Sequence, residues 1–153
     1  MLSLPYRQGE KPQTHYGLPH SQLDQNPSAE IYDKLKANAF DFEFVERRPS
    51  VISVPGAEAL WLQEEGGHSC DEAFMRGNEF AHVHPPEDGS LHLMLPESDV
   101  PEFLERGWGE HHPLVPKGRM PPTTVMVFGP RNQGELDIIL EIIQTSYKFA
   151  RGL

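Results

Sequence analysis

Three histidines stand close together in the sequence, at spacings that could bring their side chains to one site. His82 and His84 are two residues apart in the run FAHVH, and His92 follows in the run SLHLML. Both runs have the composition of strands, and side chains two residues apart on a strand lie on the same face. His82 and His84 are therefore predicted to share a face. In the next strand, Ser90 and Met94 are predicted to lie on the same face as His92.

The five residues that join these runs, PPEDG, predict a hairpin because they end in Asp-Gly. If these five residues form the whole loop, His84 pairs with Ser90, and His82 lies directly opposite His92. Cross-strand partners have Cβ atoms about 4.5 to 5.5 Å apart. The spacing therefore predicts one cluster of three imidazoles on one face of a sheet.

A cluster of this kind allows three interpretations. Three imidazole nitrogens can hold a zinc or iron ion and leave coordination positions open for chemistry. Histidine can also act as a general acid or base, because its unperturbed pKa is about 6.5. The third interpretation is structural, with each ring bonded to a backbone carbonyl. Clustering favours a functional site, in which His82, His84 and His92 are catalytic groups or, alternatively, metal ligands.

Other candidate site residues flank this cluster. Glu79 precedes the first strand and is predicted either to orient an imidazole or to be a surface carboxylate. In the run GWGEHHPL, His112 is a further candidate catalytic group, and Trp108 and His111 are candidate substrate contacts. The alternative for this run is a solvated loop whose tryptophan fills the core. Arg131 is predicted to hold an anionic group of the substrate, or else to be a surface cation near Glu135, and Ser90 and Met94 are further candidate substrate contacts.

The composition limits the classes of partner. The chain has 153 residues, a formal net charge of −10, 37% hydrophobic residues and a mean hydropathy of −0.52, which is typical of one water-soluble domain. No basic face is expected to bind nucleic acid, and no apolar run approaches the length of a membrane span. The single cysteine, Cys70, excludes an internal disulfide. A reducing, cytoplasmic setting without membrane contact is therefore expected.

Periodicity and turn residues predict the elements that position the cluster. A helix is expected to begin after Ser28, a short one after Ser98 or Asp99, and a long one after Asn132. Loops are expected at 64–78 and 108–122. Strands are expected at 42–46, 50–54, 59–63, 80–84, 90–95 and 123–128. The fold class is predicted as α+β, a mainly antiparallel sheet with helices packed on one face in a single domain. Residues 1–27 are expected to form an irregular arm across the surface of the main domain, 28–153.

These motifs together resemble the fungal luciferase family. FAHVHPPEDGSLHLMLP, ERGWGEHHPL and VFGPRNQGELDIILEII follow one another in the order and at the spacing of that family's A-H-x-H, T/S-L-H-L, K-G-W-G-x-R-H-P-L and A-P-R-N. The arm segment LPYRQGEKP resembles the family's Leu-Pro-aromatic-Arg-x-Gly-x-x-Pro. Position 111 departs from the family, because it is histidine instead of arginine, and no counterpart of the family's membrane-anchoring segment before the arm is expected. The positions that match include those of Glu79, His82, His84, His92, Trp108, His112, Pro113, Arg131 and Asn132.

The resemblance implies a reaction. Luciferases of this family oxidise a hydroxylated styryl-pyrone with molecular oxygen, release carbon dioxide and light, and need no organic cofactor. By this resemblance the chain is predicted to be a cofactor-free oxygenase that acts on an enolisable aromatic or hydroxypyrone-type small molecule, with molecular oxygen as co-substrate. The alternatives are a metal-dependent enzyme that uses zinc or iron at the three histidines, and a non-catalytic module that binds a small molecule. A homodimer is a further expectation, since a sheet edge and the arm are available for pairing.

Overall fold

Eight strands and three helices follow one another along the chain in the computed structural model, which describes residues 1–153. The strands are β1 (Thr14–His15), β2 (Ser21–Gln22), β3 (Val45–Pro49), β4 (Glu58–Leu62), β5 (Glu79–Val83), β6 (Leu91–Met94), β7 (Gly109–His111) and β8 (Thr124–Val127). The helices are α1 (Ala29–Ala39), α2 (Val100–Glu105) and α3 (Gln133–Arg151).

Six of the strands form one sheet in the order β3-β4-β5-β6-β8-β7. Every neighbouring pair in it is antiparallel. The remaining two strands, β1 and β2, form a small antiparallel hairpin within the arm. The predicted α+β class, with helices against a mainly antiparallel sheet in a single domain, is confirmed.

The helices cover one face of the large sheet. Helix α3 begins at Asn132, whose side chain accepts a hydrogen bond from the Glu135 backbone N–H at 2.9 Å, and α1 begins in the same way at Ser28. Helix α3 lies against β5 and β6, and α1 packs against α3. None of the helices combines the length and the hydropathy that a membrane span requires. The core between helices and sheet contains Leu35, Leu60, Leu62, Ala81, Val83, Leu91, Leu93, Val125, Val127, Leu136, Ile139 and Ile143.

The opposite face of the same strands carries the histidines. It is covered by the arm and by the loop after β3. The arm is fixed to the domain at several points, among them the Arg7 backbone N–H to the Arg106 carbonyl at 2.9 Å and the Gly129 N–H to the Gln22 side-chain oxygen at 2.9 Å. This face is therefore closed by irregular chain, and a cavity remains beneath it.

The strands predicted at 42–46 and 50–54 are wrong, because a single strand, Val45–Pro49, takes their place. Phe44 adopts a left-handed backbone conformation with φ of 70°, which interrupts the extended chain before β3. After Pro49 the chain turns, since the Ser50 hydroxyl and the Val51 N–H both bind the Glu79 carboxylate. Residues 50–54 therefore form a wall of the cavity instead of a strand.

The loop predicted at 108–122 is also wrong in part, because it contains β7 at the edge of the sheet. Gly109 lets this strand approach β8 closely: a Cβ atom at that position would lie 1.9 Å from the Met126 carbonyl oxygen. Only glycine fits there. Because Gly109, Glu110 and His111 are not typical strand residues, composition alone did not predict the strand.

Candidate functional site

The centre of the site is the cross-strand pair of His82 and His92. These residues are partners in the β5–β6 ladder, as the loop length predicted, and the His84 N–H donates to the Ser90 carbonyl at 2.9 Å. Nε2 of His82 and Nδ1 of His92 are 3.0 Å apart. The ring of His84 lies 5.1 Å from that of His82 and 4.7 Å from that of His92, centre to centre. All three side chains are buried.

Glu79 fixes the orientation of the His82 ring by a hydrogen bond. Its carboxylate accepts a hydrogen bond from His82 Nδ1 at 2.8 Å, and it also accepts from the Ser50 hydroxyl at 2.8 Å and the Val51 N–H at 3.1 Å. Because Nδ1 carries the donated proton, Nε2 of His82 keeps its lone pair. Burial lowers the pKa of His82 despite the hydrogen bond to Glu79, which favours this neutral form.

His84 is fixed by a similar chain that ends on an acid. Its Nδ1 lies 2.8 Å from the Ser90 hydroxyl oxygen, and that hydroxyl donates to the Asp88 carboxylate. Since the Ser90 proton is used on Asp88, His84 Nδ1 must be the donor to Ser90. The neutral form of this ring has its lone pair on Nε2, and His84 lines the cavity.

His92 is bonded on its far side by a residue of the arm. Its Nε2 lies 2.7 Å from Nδ1 of His20, and Nε2 of His20 lies 2.6 Å from a carboxylate oxygen of Glu110. Burial alone would raise the pKa of Glu110, but hydrogen bonds from His20, Lys11 and Thr14 outweigh burial and lower it to about 2. Glu110 is therefore ionised at neutral pH and can only accept hydrogen bonds.

His112 is the fourth imidazole of the cavity. Its Nδ1 accepts a hydrogen bond from the Leu114 N–H at 3.1 Å. Burial and the nearby imidazoles of His20 and His82 lower the pKa of His112 to about 4, so its ring is neutral at pH 7. A neutral ring that accepts at Nδ1 carries its proton on Nε2, which makes His112 a hydrogen-bond donor. Burial and the positive-charge repulsion of the surrounding imidazoles likewise hold the pKa of His92 well below its usual value.

These imidazoles form the floor of a cavity of about 540 Å³, a volume typical of small-molecule sites. Thr124 is 1% exposed, lines the cavity, and its hydroxyl has no hydrogen-bond partner. Arg76 is the cation among the lining residues. The remaining wall is largely apolar and consists of Leu18, Pro19, Ile52, Val54, Met75, Leu114 and Met120. The cavity thus combines apolar walls with a small number of polar groups.

The five predicted substrate contacts all lie outside this cavity. Trp108 is buried in the core, where its Nε1 donates to the Pro5 carbonyl at 2.7 Å, as the core-filling alternative had it. Arg131 forms an ion pair with Glu135 and donates to the Gln8 carbonyl at 2.6 Å. Both side chains therefore fix the arm. His111 and Met94 do not line the cavity either, and Ser90 acts through His84.

The structure also adds groups that the sequence did not indicate, namely His20, Arg76, Asp88, Glu110 and Thr124. His20 reaches the site only because the arm folds over the sheet. Glu110 and His112 lie on the same side of their chain segment, with His111 on the other, which is the alternation of a strand. If a strand had been predicted at β7, its alternation would have placed Glu110 and His112 on the cavity face and His111 on the other face.

Two groups of imidazoles have ligand atoms within 4.8 Å of one another and could hold a metal ion. One contains His82, His84 and His92, as predicted, and the other contains His20, His92 and His112. Such a cluster, on a rigid sheet and under an apolar cavity, has the composition typical of a small-molecule site.

Comparisons with known proteins show a similarity to fungal luciferases. Residues 77–146 match the family model described as the Luciferase domain. Over 94–95% of its length the chain is 39% identical to the luciferase of Neonothopanus nambi and 30% identical to those of Armillaria ostoyae and Armillaria gallica. The chain spans about three fifths of the length of these luciferases (59–60%). No solved structure matches the chain. The resemblance of the motifs to the fungal luciferase family is thereby confirmed.

Proposed function

We propose that the protein is an oxygenase that acts on an enolisable aromatic or hydroxypyrone-type small molecule, with molecular oxygen as co-substrate and without an organic cofactor. The observation that carries this proposal is the cavity of about 540 Å³ with neutral imidazoles beneath apolar walls. The similarity to luciferases supports the type of reaction. The reducing cytoplasm is the proposed setting, which suits the free thiol of Cys70.

The reaction begins with the loss of an enol proton. His84 is the group best placed to accept it, because Nδ1 donates to Ser90 and the lone pair of Nε2 is free on the cavity side. Ser90 and Asp88 stabilise the positive charge that then develops on the ring. The enolate is rich in electrons, and its carbon bonds to oxygen to give a peroxide. The substrate itself supplies the electrons, which is why no organic cofactor is required.

The cavity must also stabilise the enolate oxygen. His112 can donate from Nε2, and the unpartnered hydroxyl of Thr124 can donate as well. Arg76 supplies positive charge at the cavity wall. Donors that are fixed before the reaction and shielded from water stabilise developing charge more strongly than water does. The apolar wall formed by Ile52, Val54 and Leu18 excludes that water.

The test is oxygen consumption with a panel of hydroxypyrones and related enols. The chain is expected to consume oxygen and release carbon dioxide with at least one of them. The variant His84→Gln should lower the rate by about 10²- to 10⁴-fold, the usual contribution of a general base. The matched control is His68→Gln, at a partly exposed histidine that stacks on Phe74, and it should retain the full rate. A binding-only module would instead show ligand-induced thermal stabilisation and no oxygen uptake.

A further inference from the structure

Four hydrogen bonds run in a row across the floor of the cavity and connect two carboxylates through three imidazoles. The row begins at Glu79 and passes to His82 at 2.8 Å, to His92 at 3.0 Å, to His20 at 2.7 Å and to Glu110 at 2.6 Å. All five residues are buried. Each contact joins one nitrogen to another nitrogen or to a carboxylate oxygen.

The contact between His82 and His92 points a lone pair at a neighbouring ring. Glu79 accepts hydrogen bonds from Ser50 and Val51 as well as from Nδ1 of His82. Because Nδ1 of His82 donates to Glu79, the neutral ring of His82 presents the lone pair of Nε2 to Nδ1 of His92, 3.0 Å away. The ring of His84 lies beside both rings. Three buried imidazoles therefore converge on one point of the cavity floor.

We propose that a divalent first-row transition-metal ion fills this contact, bound by His82 Nε2, His92 Nδ1 and His84 Nε2. The facing nitrogens of His82 and His92 are 3.0 Å apart, and the ligand atoms of all three rings lie within 4.8 Å of one another, so one ion can reach all three. Two imidazole nitrogens that share one ion at about 2.0 to 2.1 Å lie about 3 to 3.4 Å from each other. The observed separation is at the short end of this range.

Each of these three ligands is backed by an acid on its far side. His82 donates to Glu79 directly, and His84 donates to Ser90, which donates to Asp88. His92 donates to His20, and His20 donates to Glu110. Metal-binding histidines almost always donate their second N–H to a carboxylate, a carbonyl or a water molecule, which fixes the ring and raises its basicity. The arm residue His20 thereby becomes a positioning residue for the third ligand.

The second group, His20, His92 and His112, does not fit an ion. Nδ1 of His112 accepts the Leu114 N–H, so its proton is on Nε2 and no lone pair remains for a metal. The two candidate groups share His92, and the orientation of the His112 ring decides which of them can bind an ion. The ion is therefore assigned to His82, His84 and His92, and His112 is left as a donor to the substrate.

An ion with three imidazole ligands keeps coordination positions open, and there it can bind an enolate oxygen and stabilise its negative charge. In the metal-bound protein the lone pair of His84 Nε2 binds the ion, and the enol proton passes to water in the cavity instead of to His84. The use of the ion rests on the proposed function, but its binding does not. Zinc and iron both suit three imidazoles.

The test is equilibrium dialysis of the untagged full chain against zinc or ferrous ion, followed by elemental analysis. About one ion per chain is expected, and the double variant His82→Ala/His84→Ala should bind none. Glu79→Gln should weaken affinity by about 10- to 100-fold, since it alters only the outer partner of a ligand. His112→Ala and the surface control His68→Ala should both keep the ion. The circular dichroism spectrum and the thermal midpoint show whether each variant is folded.

The dialysis contains no substrate, so its outcome is separate from that of the oxygenase proposal. Absence of a bound ion from the folded chain, or retention of the ion by the double variant, overturns the metal site. Loss of the ion in His112→Ala with retention in His84→Ala would assign it to the other group and also overturn the proposal. If the ion binds and no enol consumes oxygen, the metal site stands and the oxygenase proposal does not.

Discussion

The two faces of the six-stranded sheet are both buried, but they are filled by different means. The helix face is apolar throughout, and Leu91, Leu93 and Val125 pack there against α3. Apolar contacts of this kind are non-directional, so many side chains of similar volume could replace one another. The face with His82 and His92 is held by hydrogen bonds in which each nitrogen has one particular partner. The helix face therefore stabilises the fold, whereas the other face serves the site.

The largest effect on stability is expected on the helix face. Leu93→Ala should lower the free energy of unfolding by about 2 to 5 kcal/mol, because Leu93 is 0% exposed and its loss leaves a void. On the other face of the same strand, His92→Asn should lower the free energy of unfolding by only about 1 to 3 kcal/mol. Water in the cavity can then bond to His82 and His20, the two hydrogen-bond partners that His92 loses. Urea denaturation measures both. Equal losses of unfolding free energy in the two variants would contradict the division of roles between the faces. Leu153→Ala, at an exposed residue, is the control and should leave the stability unchanged.

The next effect is a dependence of stability on pH that, above about pH 4.5, comes from the imidazoles of the cavity face. Burial lowers the pKa of His82, of His92 and of His112, the last to about 4. The unfolded chain therefore binds more protons than the folded chain below about pH 6.5, and stability falls as the pH drops from there to 4. Glu110, with its pKa lowered to about 2, adds a second loss below about pH 4.5.

Thermal melts of chelator-treated protein between pH 8 and 4 test this dependence. The melting temperature should be flat above pH 7 and should fall by several degrees below pH 6. His112→Gln should reduce the slope, whereas Leu93→Ala should shift the whole curve without changing its shape. A melting temperature that rises on acidification to pH 5 would show that the imidazoles are charged in the folded chain.

The smallest effect compares two buried hydroxyls without partners, one on each face. Thr124 lines the cavity and Ser146 lies in α3, on the helix side. Thr124→Val and Ser146→Ala should each raise the free energy of unfolding by about 1 kcal/mol, because both remove an unpaired buried polar group. Only Thr124→Val should raise KM for the enol, by up to about tenfold, the value of one hydrogen bond. An equal change in KM in both variants would remove Thr124 from the substrate site.

The sequence predicts the helix face well because that face depends on periodicity. Alternation in β6 and the 3.6-residue period of α3 each report a buried apolar side, and the cap at Asn132 marks where the helix begins. The pairing of His82 with His92 was also predictable, since it depends only on the length of the hairpin loop. These are local properties, in which residues close in sequence determine their own geometry.

The remainder of the site depends on contacts between distant parts of the chain. His20 meets His92 across 72 positions, and nothing periodic in the arm indicates that contact. Trp108 and Arg131 were predicted to touch the substrate, yet they hold Pro5 and Gln8 of the arm. Aromatic and cationic side chains serve both purposes equally well, so their type does not distinguish a binding wall from an anchor. Only the three-dimensional structure separates these two roles.

The arm contributes three neighbouring residues to the cavity, Leu18 and Pro19 as wall and His20 as the partner of His92. This short segment of the arm therefore influences both the shape of the cavity and the hydrogen bonding of the histidines at its floor. Relatives that vary this stretch can acquire new substrates while the sheet and its strand histidines stay as they are. Differences in ligand specificity among such proteins are therefore expected to lie mainly in the arm, while the histidines of the sheet stay the same.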